Sequence, residues 1–577
     1  MGDVSHSDTG AAAAETRPAA ALRARRPSRE ALLDAAPLGA VLLVYAIVQL
    51  EVLQGPKPLD PSNYFNIAVN FPDVPLNPWT LRIGLIAPVR AAVLVFGPSE
   101  AAFYAVPVAT GLVLAAAVYG TMLLLFRDRV AAAAAALVTV LNTVYLLNSS
   151  AIYPDTTATA TFTAGFFFLV LSGMRPHSRA KGWVSTAAVV CAGILFGWTY
   201  LIREFSPLLL PAVLAALLLW VRYAGRRIVI LVGAAVATFC LELLYGFVRY
   251  RDPFAHLELL LNRGDIPISA ARLQRMERIQ GQLDVIDTII VFPRLVLSWQ
   301  SGPILLALLV LFVVALALFR DRRLWVLAAW CVSFWAIMAV LGLAALGSER
   351  WILNITNVRY WYPILPALVM GAFGGLHLLV NKFLPSFGGL RPTQAVAPLV
   401  AGLVLVPGLV EYRNCAAADA WRNDPAERWH DLRSWAATPE AERYTVLWTD
   451  VRSARLVPAF IRKTFGERLW HGVVKTFPHP RRGIIPETDV QHSLILVHWD
   501  AFRAKIPQAK ARLSEVRREW SPVFISRDGG MVLLAHESAA TGEAVDAVRA
   551  WWRFPGRPRS AKPGHCGRSP YEVGGQE

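Results

Sequence analysis

Stretches of about 20 apolar residues recur along this chain, the length needed to cross the hydrocarbon core of a bilayer as a helix. Inside lipid every backbone N–H and C=O must be satisfied within the segment, so such stretches are restricted to helices. Eleven read as spanning helices, at roughly 35–53, 99–126, 130–147, 157–174, 183–201, 205–221, 227–248, 302–319, 324–346, 361–380 and 395–411. The chain has 577 residues, 55% apolar and 17% charged, with a mean hydropathy of +0.43, well above the usual range of soluble domains. The fifth and sixth spans are separated only by Ile-Arg-Glu-Phe at 202–205. A further apolar stretch at 79–97 carries Arg82, Pro88 and Arg90 and reads as a helix lying at the interface.

Orientation follows from the arginines. With the N-terminus cytoplasmic, the inner loops hold Arg127 and Arg129; Arg175, Arg179 and Lys181; Arg222, Arg226 and Arg227; Arg320, Arg322 and Arg323; Lys382 and Arg391. The short outer loops are poorer, with Arg203, Arg350 and Arg359. This positive-inside pattern accounts for much of the net charge of +16 with no nucleic-acid partner. Residues 1–34, rich in Ala, Ser and Arg, read as a disordered cytoplasmic tail, and the first span as a retained signal anchor. The odd span count puts everything after the last span outside a multi-pass cell-membrane protein.

Residues 35–412 form the transmembrane region, and at 413 the composition changes. Tyr-Thr-Val-Leu-Trp-Thr-Asp at 444–450 and Ser-Leu-Ile-Leu-Val-His-Trp-Asp at 493–500 read as buried strands, with amphipathic helices at 452–466 and 501–516. The stretch 522–536 reads as a hairpin, since Asp-Gly-Gly supplies a turn with positive φ. The expectation is a polytopic α-helical membrane protein with a C-terminal extracytoplasmic α/β domain over 413–554 and a disordered tail over 555–577. Cys191, Cys240 and Cys331 fall inside spans, while Cys415 and Cys566 both lie outside, where a disulfide between them is open.

The nucleophile, phosphate-loop and zinc motifs of soluble enzymes are missing. What remains is a set of polar residues at the outer ends of the spans. Asp60 follows the first span, ahead of Tyr64; Asp73 and Arg82 share its loop. Asp155 opens the fourth span after Pro154. It reads either as a helix cap for the following amides or as a functional acid. Arg203 and Glu204 stand between two apolar spans, where they neutralise each other or face a polar cavity; Arg359 and Tyr360 precede the tenth. The long outer segment 249–301 adds His256, Glu258, Arg263 and Asp265. Acids and arginines from five stretches on one face suit an anionic lipid-linked substrate, because guanidinium binds phosphate bidentately. A carboxylate beside a hydroxyl serves as general base or holds a phosphate-bound metal.

Four motifs in this order resemble the GT-C glycosyltransferases, in particular the family-39-like branch of protein O-mannosyltransferases and the lipid A aminoarabinose transferase. They are Leu-Asp-Pro-Ser-Asn-Tyr-Phe at 59–65, the juxtamembrane Val-Phe-Gly-Pro-Ser at 95–99, Tyr-Pro-Asp at 153–155, and Arg-Tyr-Trp-Tyr-Pro at 359–363. The resemblance covers roughly 36–412. It implies inverting transfer of a sugar from a polyprenyl-phosphate donor to a glycan, lipid or protein acceptor on the outer side of the membrane. Carried over, Asp60 is the candidate base with Asp73 in reserve, Asp155 lines the same cavity, and Arg203 and Arg359 suit the donor phosphate. The O-mannosyltransferases have Asp-Glu where this chain has Asp60-Pro61. No cofactor is required; a divalent metal is compatible with the acids. The competing classes are a flippase or exporter of a lipid-linked sugar, which needs charge at mid-membrane and often repeated halves, and a non-catalytic membrane partner.

Overall fold

A computed structural model describes residues 29–53, 60–77, 79–173, 182–204, 209–221, 225–261, 284–299, 301–346, 357–384, 391–418, 426–450, 453–457, 460–461, 469–476, 491–498, 520–527 and 529–536. The expected tails at 1–28 and 537–577, the helix at 501–516, and Arg263, Asp265 and Cys566 lie outside the described residues, as does the side chain of Cys415.

The chain is mostly helical. Helices α1 to α4 cover Arg29–Glu51, Asp60–Asn70, Ile83–Phe96 and Glu100–Phe126. Helices α5 to α8 cover Arg129–Leu141, Thr143–Ser149, Pro154–Ser172 and Gly182–Ile202. Helices α9 to α11 cover Leu210–Ala216, Gly225–Tyr250 and Ala255–Leu261. Further helices follow at Val285–Leu297, Gly302–Phe319, Arg322–Leu346, Leu365–Phe383 and Pro392–Ala418. Among the described residues seven helical stretches are long and apolar enough to cross a bilayer, or eight if one bent pair counts as a single span. This is a multi-pass membrane protein.

Two departures from the expected spans have local causes. The stretch 130–147 is broken into α5 and α6, which meet at 58°. Asn142 makes the joint: its amide donates to the Val138 and Thr139 carbonyls at 3.1 and 2.7 Å, while its carbonyl oxygen accepts from the Tyr145 N–H at 2.9 Å. One side chain thus satisfies the end of one helix and the start of the next. Helix α7 is less apolar than its neighbours because of its threonines. Thr159, Thr161 and Thr163 each donate to the carbonyl four residues back, at 2.7–2.8 Å, so their hydroxyls are satisfied within the helix. Helix α3, in the stretch assigned to the interface, has 14 residues. At 1.5 Å per residue it is about 21 Å long, short of the ~30 Å hydrocarbon core.

After the last long helix, the chain forms a helix at Ala426–Ala436 and five strands: β1 Val446–Thr449, β2 Val473–Thr476, β3 Ser493–His498, β4 Trp520–Ile525 and β5 Met531–His536. Their order is β2-β1-β3-β5-β4. Strand β1 runs parallel to β2 and β3, and β5 runs antiparallel to β3 and β4. The expected hairpin is β4–β5, with Gly529 at φ 66° in its turn. Strand β2 was not anticipated: it is a four-residue edge strand with no buried residue, too short to carry a period.

The sheet unit is fused to one end of the helical bundle. Trp429, Leu432, Leu447, Leu494, Leu496 and Leu533 share one buried cluster with Tyr64, Phe65, Ile86, Phe103 and Ile152 from the helix ends and their loops. At the edge of this contact His430 Nε2 lies 2.5 Å from Glu100 Oε2 at the start of α4. The Glu100 carboxylate raises the His430 imidazole above its ordinary value of about 6.5. A group raised on docking contributes fully below the undocked value and loses that contribution as pH rises through the docked one. Amide protection in 426–436, the exchange rate corrected for its intrinsic base-catalysed rise with pH, should therefore be greater at pH 6 than at pH 8. In His430→Gln this pH dependence of protection should vanish; protection that is equally pH-dependent in the variant would show that another group anchors the helix.

Candidate active site

The polar residues at the end of the bundle nearest the sheet come from element termini. Asp60 is the first residue of α2, and Tyr64 lies one turn on. Arg82 immediately precedes α3. Tyr153 and Asp155 flank Pro154 at the start of α7. Arg203 and Glu204 follow the end of α8, and Arg359 and Tyr360 lie in the 3-10 turn Val358–Ile364 that leads into Leu365–Phe383. Short connections keep these termini near one another, and each terminus bears a charge that would be costly at mid-membrane.

Asp155 is the centre of the group. It is 0% exposed. Arg203 Nε lies 2.9 Å from its Oδ1, and Arg359 Nε lies 3.6 Å from its Oδ2. Neither oxygen accepts an aligned hydrogen bond among the described residues, so Asp155 does not cap the α7 amides. The hydroxyls of Thr156 and Thr157 turn back to the Tyr153 carbonyl at 3.0 and 3.1 Å. Arg359 then reaches Asp60, with Nη2 3.3 Å from Oδ2. The other Asp60 oxygen accepts from the Trp79 indole N–H at 3.1 Å. Asp60 is the more open acid, with its side chain 29% exposed against 1% for Asp155.

A second layer lies beside the first. Arg82 donates to the Tyr64 hydroxyl and sits 3.6 Å from Glu204, whose other oxygen is 3.9 Å from Arg203. The Arg203–Glu204 pairing is thus the looser of the two carboxylate contacts of Arg203. Burial pushes the Tyr64 phenol up to about 12, against the opposing pull of Arg82, so it remains a neutral hydrogen-bonding group. Aromatic faces line the guanidinium groups: Tyr360 lies 4.8 Å from Arg203 and 5.1 Å from Arg359, and Tyr153 5.2 Å from Arg359. Three arginines face three carboxylates, so the cluster is close to neutral as it stands.

The structure brings Asp60, Tyr64, Arg82, Asp155, Arg203, Glu204, Arg359 and Tyr360 into one network. It places Asp73 elsewhere: that side chain is 89% exposed and 3.8 Å from Arg249, so the reserve base is separated from the arginine cluster. His256 falls on α11 and its side chain lies outside the described residues. Glu258, on the same helix, is exposed and adds nothing to the network. Two members were not singled out from the sequence, Trp79 and Tyr153. Both sit next to residues that were, and aromatic residues at a membrane boundary give no signal of their own. Among the described residues no three His, Cys, Asp or Glu side chains are grouped to hold a metal ion, and the acids of the cluster face arginines.

The fold and site define a multi-pass helical membrane protein with an α/β unit packed over a buried cluster of arginines and acids. No known family profile matches the chain, and no curated protein matches it. In structure it is similar to ArnT from Cupriavidus metallidurans bound to undecaprenyl phosphate, at 15% identity and a TM-score of 0.46, over 87% of this chain and 98% of that one. It is also similar to the Archaeoglobus fulgidus oligosaccharyltransferase in complex with Zn and sulfate, at 15% identity and a TM-score of 0.40, over 86% and 73% of the two chains.

The ion pairs predict a stability pattern. Removing one partner of a buried pair leaves an uncompensated charge, at a cost of about 3–5 kcal/mol, whereas removing both is much less costly. Arg203→Met should therefore lower the unfolding temperature in detergent, and Asp155→Asn combined with it should recover most of the loss. Additive losses in the double variant would mean that the two side chains do not act as a pair.

Proposed function

We propose that the chain is a GT-C-type glycosyltransferase that moves a sugar from a polyprenyl-phosphate-linked donor to an acceptor at the outer face of the cytoplasmic membrane. One observation carries the reading: Asp155, wholly buried, lies between Arg203 and Arg359, and Arg359 extends to the more open Asp60. A simple structural ion pair joins one cation to one acid. Here two guanidinium groups share an inner acid, and an outer acid borders the same arginine. The order of the four sequence motifs supports the same reading.

The chemistry follows from the geometry. An arriving phosphate adds negative charge to a cluster that is neutral without it, so it competes with a carboxylate for an arginine. Arg359 holds its acids at 3.3 and 3.6 Å, more loosely than Arg203 holds Asp155 at 2.9 Å. Arg359 is therefore the arginine that turns to the phosphate, and Asp60 is the acid released. Asp155 keeps Arg203 in place from below. The acceptor hydroxyl attacks the anomeric carbon as the bond from that carbon to the phosphate oxygen breaks. Asp60 takes the hydroxyl proton, and the charge that builds on the departing polyprenyl phosphate is met by Arg203 and Arg359. Inversion at the anomeric carbon follows from a single displacement. The acceptor, whether glycan, lipid or protein, enters beneath the sheet unit, which the arginine asymmetry of the loops assigns to the outside.

Sugar transfer from a polyprenyl-phosphate donor by purified protein in nanodiscs tests this. Asp60→Asn should insert and fold normally but lose about 10²–10⁴-fold in turnover, the usual contribution of a positioned acid–base group. Asp155→Asn should also lose most activity, because it releases Arg203 and Arg359 from their inner anchor. Near-wild-type turnover for Asp60→Asn would remove the base from this site. The membrane orientation has its own test: a reporter fused after residue 577 should read as extracytoplasmic and one inserted in 175–182 as cytoplasmic. A cytoplasmic C-terminus would place the cluster on the wrong side of the membrane.

A further inference from the structure

We propose that Trp79 is the positioning residue for the Asp60 carboxylate, a neutral donor that keeps this acid aimed when Arg359 turns to the substrate phosphate; the inference rests on the proposed role of Asp60. The two oxygens of Asp60 are held by different kinds of group. Arg359 Nη2 lies 3.3 Å from Oδ2, and the Trp79 indole N–H donates to Oδ1 at 3.1 Å. The guanidinium also faces Asp155, so its loyalty is divided. The indole has one N–H and no charge, so it gives the carboxylate a fixed direction without attracting an anion of its own.

The loop is built to hold that indole. Asn77 Oδ1 accepts from the Trp79 and Thr80 backbone N–H groups at 2.9 and 3.1 Å. The Thr80 hydroxyl donates to the Asn77 carbonyl at 2.8 Å and accepts from its N–H at 2.9 Å. Thr80 is fully buried. Such a reciprocal Asn–Thr turn fixes the backbone on either side of the tryptophan, and α3 begins three residues after Thr80. Trp79 therefore lies inside the Asn77–Thr80 turn, just ahead of α3, with its indole N–H donating to the first residue of α2. Among the described residues, the other groups near Asp60 are Arg359, Asp155 beyond it, and the phenols of Tyr64 and Tyr153. None of these is a neutral group donating to Oδ1.

The experiment uses the full chain in nanodiscs and does not need the natural acceptor. The carboxyl stretch of Asp60 is isolated in infrared spectra as the band lost in Asp60→Asn, and its titration is followed in the wild type, Trp79→Phe and Asn77→Ala. Phenylalanine keeps the ring and removes only the donor. Loss of a donor to the ionised form favours the protonated form, so the midpoint should move up by about one pH unit in Trp79→Phe. Asn77→Ala, which frees the turn, should move it the same way by less. With radiolabelled polyprenyl-phosphate mannose as donor probe and water as the acceptor, Trp79→Phe should release free mannose about tenfold more slowly, with little change in KM for the donor. A midpoint that stays in place in both variants overturns the proposal, whatever the turnover. A raised midpoint alongside a fully active Asp60→Asn keeps Trp79 as the residue that sets Asp60, and removes instead the proton-accepting role.

Discussion

The arrangement at the end of the bundle depends on one physical fact: the Asp155 carboxyl group is buried, and two arginines meet it. A lone carboxylate in such surroundings would cost several kcal/mol. Arg203 comes from the end of α8 and Arg359 from the turn before Leu365–Phe383, so their pairing with one acid ties three distant parts of the chain to a common point. Asp60 and Glu204 extend the same arrangement outward and sideways. The result is a cluster that is balanced as it stands and becomes unbalanced when an anion arrives.

The helices around it are adapted to carry polar groups without exposing them to lipid. Threonines in α7 return their hydroxyls to the backbone, and Asn142 closes both ends of the break between α5 and α6. Beyond the break, α6 leads through a short connection to Tyr153 and the start of α7, which carries Asp155. Near the same end, Asn148 donates to the Tyr362 hydroxyl at 2.5 Å, and Tyr362 donates to the Val144 carbonyl at 2.7 Å. The bent span is thereby fastened to the turn that bears Arg359 and Tyr360.

The sheet unit is joined to this end by apolar burial rather than by charge. Trp429 and Leu432 share a cluster with residues of α2, α3 and α4, and the His430–Glu100 pair lies at its edge. The elements that hold Asp60, Tyr64 and Arg82 are thus covered from above by the sheet unit and supported from below by the bundle. Under the proposed function, the cover keeps bulk water from a donor that hydrolysis would waste.

Hydropathy, loop charge and residue order were enough to read a helical membrane protein with an α/β unit after it, the β4–β5 hairpin, and most members of the arginine and acid cluster. These signals are local: an apolar run of fixed length, an Asp-Gly-Gly turn, a charge standing where lipid disfavours it. What pairs with what was not legible. Asp155 and Arg203 are 48 positions apart in the chain, and Asp60 and Arg359 are 299 apart, so only the packing of helix ends could join them. For the same reason Asp73, an equally plausible acid by its loop position, ends beside Arg249 on the surface. Trp79 becomes a donor to Asp60 only because the Asn77–Thr80 turn holds it there. The sequence by itself determined which side chains stand at the helix ends, because the bilayer penalises charge anywhere deeper; the tertiary structure decided their partners, because an ion pair exists only between groups that folding places a few ångströms apart.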